Sequence, residues 1–173
     1  MANREIVDYD GTGYIYPKYI PPWSQTLAFG SFCSTQTQTV LGVSTPTPIT
    51  YNTTEIAQYT SFSGSKIFVQ RTGVYRFTYS IQLDKSGGGN SPCEIFIAVN
   101  GTPVPRSGSQ IVVEGQTGET FPMCEFIISL TAGQYIEVLF NSSDATMSAT
   151  HFPAVVGQYP EIPSIISNIQ QIS

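Results

Sequence analysis

Gly73-Val-Tyr-Arg-Phe-Thr-Tyr-Ser-Ile-Gln-Leu83 decides the fold. Tyr75, Phe77, Tyr79, Ile81 and Leu83 fall at every second residue, and Arg76, Thr78, Ser80 and Gln82 fill the gaps. Alternation of this kind puts the large apolar groups on one face of a β-strand and the polar groups on the other, whereas a helix would spread both sets around its surface. The strand is long and aromatic, so its apolar face must meet a second layer. It reads as a central strand of a β-sandwich.

Working outward, turn signals separate further short strands. Residues 65–70 form a strand that turns through Arg71-Thr-Gly73 into the central one. Cys93-Glu-Ile-Phe-Ile-Ala-Val99 is the next strand, and Asn100-Gly101 after it is a hairpin signal, because both residues tolerate positive φ. Residues 121–130 place Cys124, Phe126, Ile128 and Leu130 on one face. Residues 134–140 do the same with Ile136, Val138 and Phe140. No amphipathic helix stands out. The expectation is an all-β chain: an antiparallel sandwich, a jelly roll of about eight to ten strands. Its expected core includes Tyr75, Phe77, Tyr79, Ile81, Phe126, Ile128, Ile136 and Val138.

The two ends differ from the middle. Residues 1–26 read as an extended N-terminal arm, rich in Gly, Pro and aromatics, with Tyr14, Tyr16, Tyr19 and Trp23 spaced as if to lie across another surface. Disordered tails are poor in aromatics, and this one is not. Residues 27–157 read as the jelly-roll domain. Residues 158–173 read as an Ile- and Pro-rich C-terminal tail. There Ile162, Ile165, Ile166 and Ile169 have helical spacing, but β-branching and flanking prolines make an added strand equally consistent. Either way the tail is too apolar to stay in water and should dock, on its own domain or on a neighbour.

Composition narrows the function. The chain has 173 residues, enough for one domain with a real core. Charged residues are 11%, against about 25% in an ordinary soluble domain, so Ser, Thr, Gln, Asn and Tyr must build much of the surface unless partners cover it. The net charge is −5 and the seven Lys and Arg are scattered. No basic patch exists to neutralise phosphates, so no nucleic-acid partner is expected. No run of about 18 apolar residues occurs, so no membrane span is expected. The N-terminal residues lack the apolar core of a signal peptide, which suggests folding in a cytosol. Three cysteines, Cys33, Cys93 and Cys124, are too few and too far apart for a disulfide framework and read as free thiols.

The inventory argues against catalysis. His151 is the only histidine. A metal-binding jelly roll needs several, and a Ser-His-Asp site lacks its Gly-x-Ser-x-Gly elbow. The Gly run in residues 85–92 is followed by neither Lys-Ser/Thr nor a helix, so it reads as a flexible loop tip and not as a phosphate cradle. No enzyme, cofactor or metal is expected. Asn52, Asn100 and Asn141 open Asn-x-Ser/Thr triplets that have no role without a secretion route.

Order and motif together resemble a known family. Gly73-Val-Tyr-x-Phe-x-Tyr79 is similar to the most recognisable stretch of the tumour necrosis factor-like jelly rolls, in particular the complement globular heads. Glu94-Ile-Phe-Ile-Ala-Val-Asn-Gly-Thr-Pro-Val104 resembles that family's strand, hairpin and strand. Phe126-Ile-Ile-Ser-Leu-Thr-Ala-Gly-Gln-Tyr-Ile-Glu-Val138 resembles its strand, turn and strand, with Gln134 where Asp is usual. Ser148-Ala-Thr-His-Phe152 resembles its closing strand. The resemblance runs from about residue 62 to 156. It implies a homotrimer, with Arg76, Thr78, Ser80 and Gln82 as candidates for the face between copies.

The departures are the lack of a collagen-like stalk and the two unusual ends. These are similar to jelly-roll structural proteins of large DNA viruses and phages. The expectation is therefore a non-enzymatic virion protein of the minor capsid, decoration or spike type. It would be assembled in the host cytoplasm and would dock on other capsid or virion proteins through Tyr14, Tyr16, Tyr19, Trp23 and the isoleucines of the tail. The alternative is an extracellular receptor- or glycan-binding head, whose loops at residues 86–92, 115–118 and 141–144 would carry recognition.

Overall fold

The computed structural model describes residues 27–115 and 120–173, together with the backbone of two short strands in the N-terminal arm. In chain order the strands are β1 (Val7–Tyr9), β2 (Ile15–Pro17), β3 (Phe29–Ser34), β4 (Gln38–Thr39), β5 (Thr47–Pro48), β6 (Thr53–Gln58), β7 (Thr60–Ser63), β8 (Lys66–Val69), β9 (Gly73–Ile81), β10 (Leu83–Lys85), β11 (Ser91–Val99), β12 (Thr102–Pro103), β13 (Ser109–Val113), β14 (Met123–Leu130), β15 (Tyr135–Ser142), β16 (Met147–Ala149) and β17 (Ile165–Gln171). Every pairing between them is antiparallel. There is no helix among the described residues.

The strand β9 sits within a five-stranded sheet ordered β14-β9-β17-β3-β6. A second sheet runs β12-β11-β15-β8-β7, with β13 added to β11 and β5 to β15. The two layers share one core. Tyr75, Phe77, Tyr79 and Ile81 project from the first sheet, and Ile95, Ile97, Ile136, Val138 and Phe140 from the second, all at most 1% exposed. Each such side chain contributes about 1.5–3 kcal/mol by leaving water. Phe126 and Ile128 pack against this cluster half-buried, because β14 lies at the edge of its sheet. Tyr79 stacks on Phe126 with ring centroids 6.2 Å apart. The Asn100-Gly101 turn has φ of +50° and +77°, the left-handed pair that a tight hairpin requires.

The C-terminal segment corrects the sequence reading. Residues 158–173 are not a tail that docks elsewhere. They include β17, which lies between β9 and β3 in the middle of the sheet. Ile165 and Ile169 face the core at 0% and 1% exposure, whereas Ile166 points to the other side of the sheet. Ile162, 37% exposed, and Ile172, 43% exposed, remain outside, Ile162 in a short excursion pinned by the Phe152–Ile162 bridge. The strand wins over the helix because β17 satisfies two ladders at once, and its period-2 pattern places Ile165, Ser167, Ile169 and Gln171 inward.

In the arm, β1 and β2 pair as a two-stranded sheet of their own. Tyr14, Tyr19 and Trp23 lie outside the described residues. Of Tyr16 only the backbone, in β2, is described.

Candidate oligomerisation face and loop rim

The five-stranded sheet turns one side to the core and the other outward. Register fixes the outward rows. Met123, Ser80, Ile166 and Cys33 lie side by side. Next come Glu125, Thr78, Asn168, Ser31 and Ile56, and then Ile127, Arg76, Gln170 and Phe29. Arg76, Thr78 and Ser80 are therefore neighbours on one surface, and Gln82 lies just past the end of β9. This surface is more apolar than the β9 sequence suggests. Met123 is 72% exposed, Ile127 67% and Ile56 57%, and they flank the polar centre.

Few polar contacts hold that centre. Arg76 Nε stands 3.8 Å from Glu125 Oε1 with both side chains half in water, a pair worth little. Asn168 Nδ2 reaches Thr78 Oγ1 at 3.5 Å. At the rim of the face, Cys33 Sγ lies 3.6 Å from Glu55 Oε1, and burial with that carboxylate raises the thiol pKa. Sequence reading missed the apolar flanks. The signal was Phe126-Ile127-Ile128, a break in alternation that gives β14 large apolar groups on both sides.

The second feature is a rim of loops at one end of the sandwich. Lys85 is fully buried, and its Nζ donates to Gly89 O (3.0 Å) and Ser91 Oγ (2.6 Å) and lies 3.4 Å from Gly88 O. It also pairs with Asp144 Oδ2. Asp144 in turn accepts from Thr146 N (2.9 Å), Thr146 Oγ1 (2.7 Å) and Ser91 Oγ (2.9 Å). The Lys85 ammonium, then Thr146 and Ser91, hold the Asp144 carboxyl well below the usual carboxylate range, against a smaller opposing effect of burial. Gly87 N donates to Thr146 Oγ1 at 3.0 Å. Gly115 lies so close that a Cβ there would stand 2.5 Å from Gly87 O and 2.6 Å from Gly89 O.

The stretches at residues 86–92, 115 and 142–146 thus converge. The Gly run is anchored and not a free tip. Residues 116–118 lie outside the described residues.

The remaining polar candidates are structural. His151 Nε2 is 2.8 Å from Glu161 Oε1, across the base of the 152–162 excursion. The Asn52 and Asn141 amides donate to Thr35 Oγ1 and Glu94 Oε2. Among the described residues no group of three or more His, Cys, Asp or Glu could hold a metal ion.

Comparison with solved structures matches this architecture. The globular domain of zebrafish complement 1qA superposes with a TM-score of 0.54 at 14% identity, over 86% of this chain and 98% of that one. Murine APRIL superposes with a TM-score of 0.53 at 10% identity, over 85% of this chain and all of that one. The fold is a tumour necrosis factor-like jelly roll. At such identities the likeness speaks for the fold alone. No protein-family model matches the sequence, and no curated protein matches it.

Proposed function

We propose that the chain is a non-enzymatic structural module that self-associates as a homotrimer through the outward face of its five-stranded sheet. The observation that carries this reading is the exposure of Met123, Ile127 and Ile56 on one surface, around a weakly paired centre of Arg76, Thr78 and Asn168. Exposed apolar groups along both edges of one sheet face fit an interaction surface. A head-to-tail contact through this face closes as a ring when the rotation between copies allows it, and three copies are the number the family resemblance implies. The setting proposed for it is a virion, assembled in host cytoplasm, where the protein serves as a minor capsid, decoration or spike-type component. The 11% charge content and the aromatic arm support that setting. The arm, not the C-terminal segment, is the part left to reach other virion proteins.

Sedimentation velocity tests the assembly. The chain should sediment as a trimer, and Thr78→Arg, which places a long cation in the middle of the face, should yield folded monomers. A wild-type monomer, or a trimer indifferent to Thr78→Arg, overturns the reading. Mass spectrometry of purified particles tests the setting, and absence of the chain from them overturns it.

A receptor- or glycan-binding head is the second reading, favoured by the convergence of the Gly87–Gly89, Gly115 and Asp144 segments into one anchored rim. A binding screen whose signal disappears when residues 86–89 are replaced would support it.

A further inference from the structure

Backbone hydrogen bonding in an antiparallel pair alternates, so one known bond assigns the rest. Ile81 N donates to Pro122 O at 3.1 Å, and the register continues with Cys124 opposite Tyr79, Phe126 opposite Phe77 and Ile128 opposite Tyr75. Val74, opposite Ser129, turns its groups the other way: its N–H donates to Ser173 O and its carbonyl accepts from Ile172 N. The even-numbered residues of β14 therefore bond to β9. Met123, Glu125, Ile127 and Ser129 direct their N–H and C=O groups away from the sheet, and among the described residues no backbone partner meets them.

This edge lacks most of the devices that keep sheet edges apart. It is eight residues long, holds neither Pro nor Lys, pairs with β9 in unbroken register, and carries Glu125 as its one charge. The opposite edge, β6, is shorter and is interrupted by a register shift at Ser31/Phe32. Edges of the second sheet are the four-residue β7, the two-residue β12 and β5, and the five-residue β13, all shorter than β14. A long apolar edge strand is a template for another strand.

We propose that the β14 edge receives the N-terminal arm of a second copy by β-strand addition, through the free side of β1 (Val7–Tyr9). This rests on the self-association reading, which it deepens by naming the receiving site. The arm already carries strand structure, since β1 pairs with β2 and, among the described residues, nothing pairs with the other side of either. Pro17 deprives β2 of a donor, so β1 is the better edge. The nine residues 18–26 allow up to about 30 Å of extended chain between β2 and the sandwich, several strand spacings of about 4.8 Å. Among the described residues, β1 and β2 form a sheet of their own that joins neither edge of the sandwich. The β14 edge also adjoins Met123 and Ile127 of the association face, so a neighbouring copy stands beside it. Backbone bonds would supply affinity, and the exposed side chains of Met123 and Ile127 the apolar contact.

The test uses the full chain with Tyr9→p-benzoylphenylalanine and photo-crosslinking of the trimer fraction. The expected result is an adduct of twice the chain mass whose linked peptide lies in residues 121–130. Ser129→Pro removes one outward N–H without touching the β9 ladder and should reduce the adduct about tenfold, the scale of one lost hydrogen bond with its neighbour disturbed. Glu125→Pro makes the same test at mid-strand if Ser129→Pro fails to fold. An adduct of single-chain mass, one mapping elsewhere, or one indifferent to both prolines overturns the proposal. A trimer without any adduct overturns this proposal alone, whereas a monomeric chain overturns the self-association reading with it.

Discussion

The Lys85 ammonium and the Asp144 carboxylate meet inside the loop rim, the lysine side chain 0% exposed and the aspartate 19%. The contact joins the end of β10 to the turn before β16 and clasps the Gly run between them. A buried ammonium is tolerated only where its donors are met, and here two carbonyls, a hydroxyl and a carboxylate meet them.

The two partners are not equivalent when removed. Asp144→Asn leaves a fully buried ammonium without its counter-charge and should cost about 3 kcal/mol. Lys85→Met keeps most of the volume, and the partly solvated carboxylate retains Ser91 and Thr146, so that variant should lose only about 1 kcal/mol. Urea unfolding of both variants checks the order.

Acid should act through the same carboxylate. Its pKa in the folded chain is depressed, chiefly by Lys85, below the value of about 3.9 expected in the unfolded chain. The pair's contribution is therefore fully present above about pH 4 and is lost as pH falls toward the folded value. Unfolding midpoints measured at pH 6, 4 and 3 should decline, and Asp144→Asn should flatten the acid limb of that profile.

The Ile169 side chain packs in the sandwich interior opposite Phe77. Ile169→Ala should destabilise the chain by about 3 kcal/mol, the usual result of emptying a buried aliphatic site. Ile172→Ala, at a position 43% exposed, should change it by less than about 1 kcal/mol. Thermal or chemical unfolding of the pair separates a core strand from an appended tail.

Thiol labelling should rank the cysteines. Cys93 is fully buried, and its pKa is pushed up to about 12, mainly by burial. It should resist iodoacetamide at pH 8 until the chain is unfolded. Half-buried Cys124 should react first, and Cys33, 4% exposed and with its pKa raised, more slowly. Mass spectrometry of timed samples reads the sequence of events.

What the sequence disclosed was set by pattern. The period-2 run of Tyr75, Phe77, Tyr79 and Ile81 identified β9 and the side of it that is buried. It also grouped Arg76, Thr78 and Ser80 on the other side. Strand β17 was ambiguous because two of its inward positions are polar. Ser167 is buried against Tyr51, with oxygens 2.8 Å apart, and the Gln171 amide accepts from Ala28 N and donates to Thr72 O. Those polar residues hid the alternation and left the isoleucine spacing to suggest a helix. In β14 the apolar groups on both sides were legible, but that one side would be bare was not. Exposure depends on which strand ends the sheet. Nor did anything local tie Lys85 to Asp144, whose meeting is a product of the closed fold.

The placement of β17 also dictates when the sandwich can close. The slot between β9 and β3 is filled by a segment made almost a hundred residues after β9 begins, so nascent β9 and β3 have no lateral partner on those sides while the intervening chain is synthesised. During that interval the aromatic layer around Phe77 is half-roofed, and a holdase chaperone would find its target there. Completion of the sheet is thereby coupled to translation past Gln171, and a ribosome that stalls earlier releases a chain without its keystone.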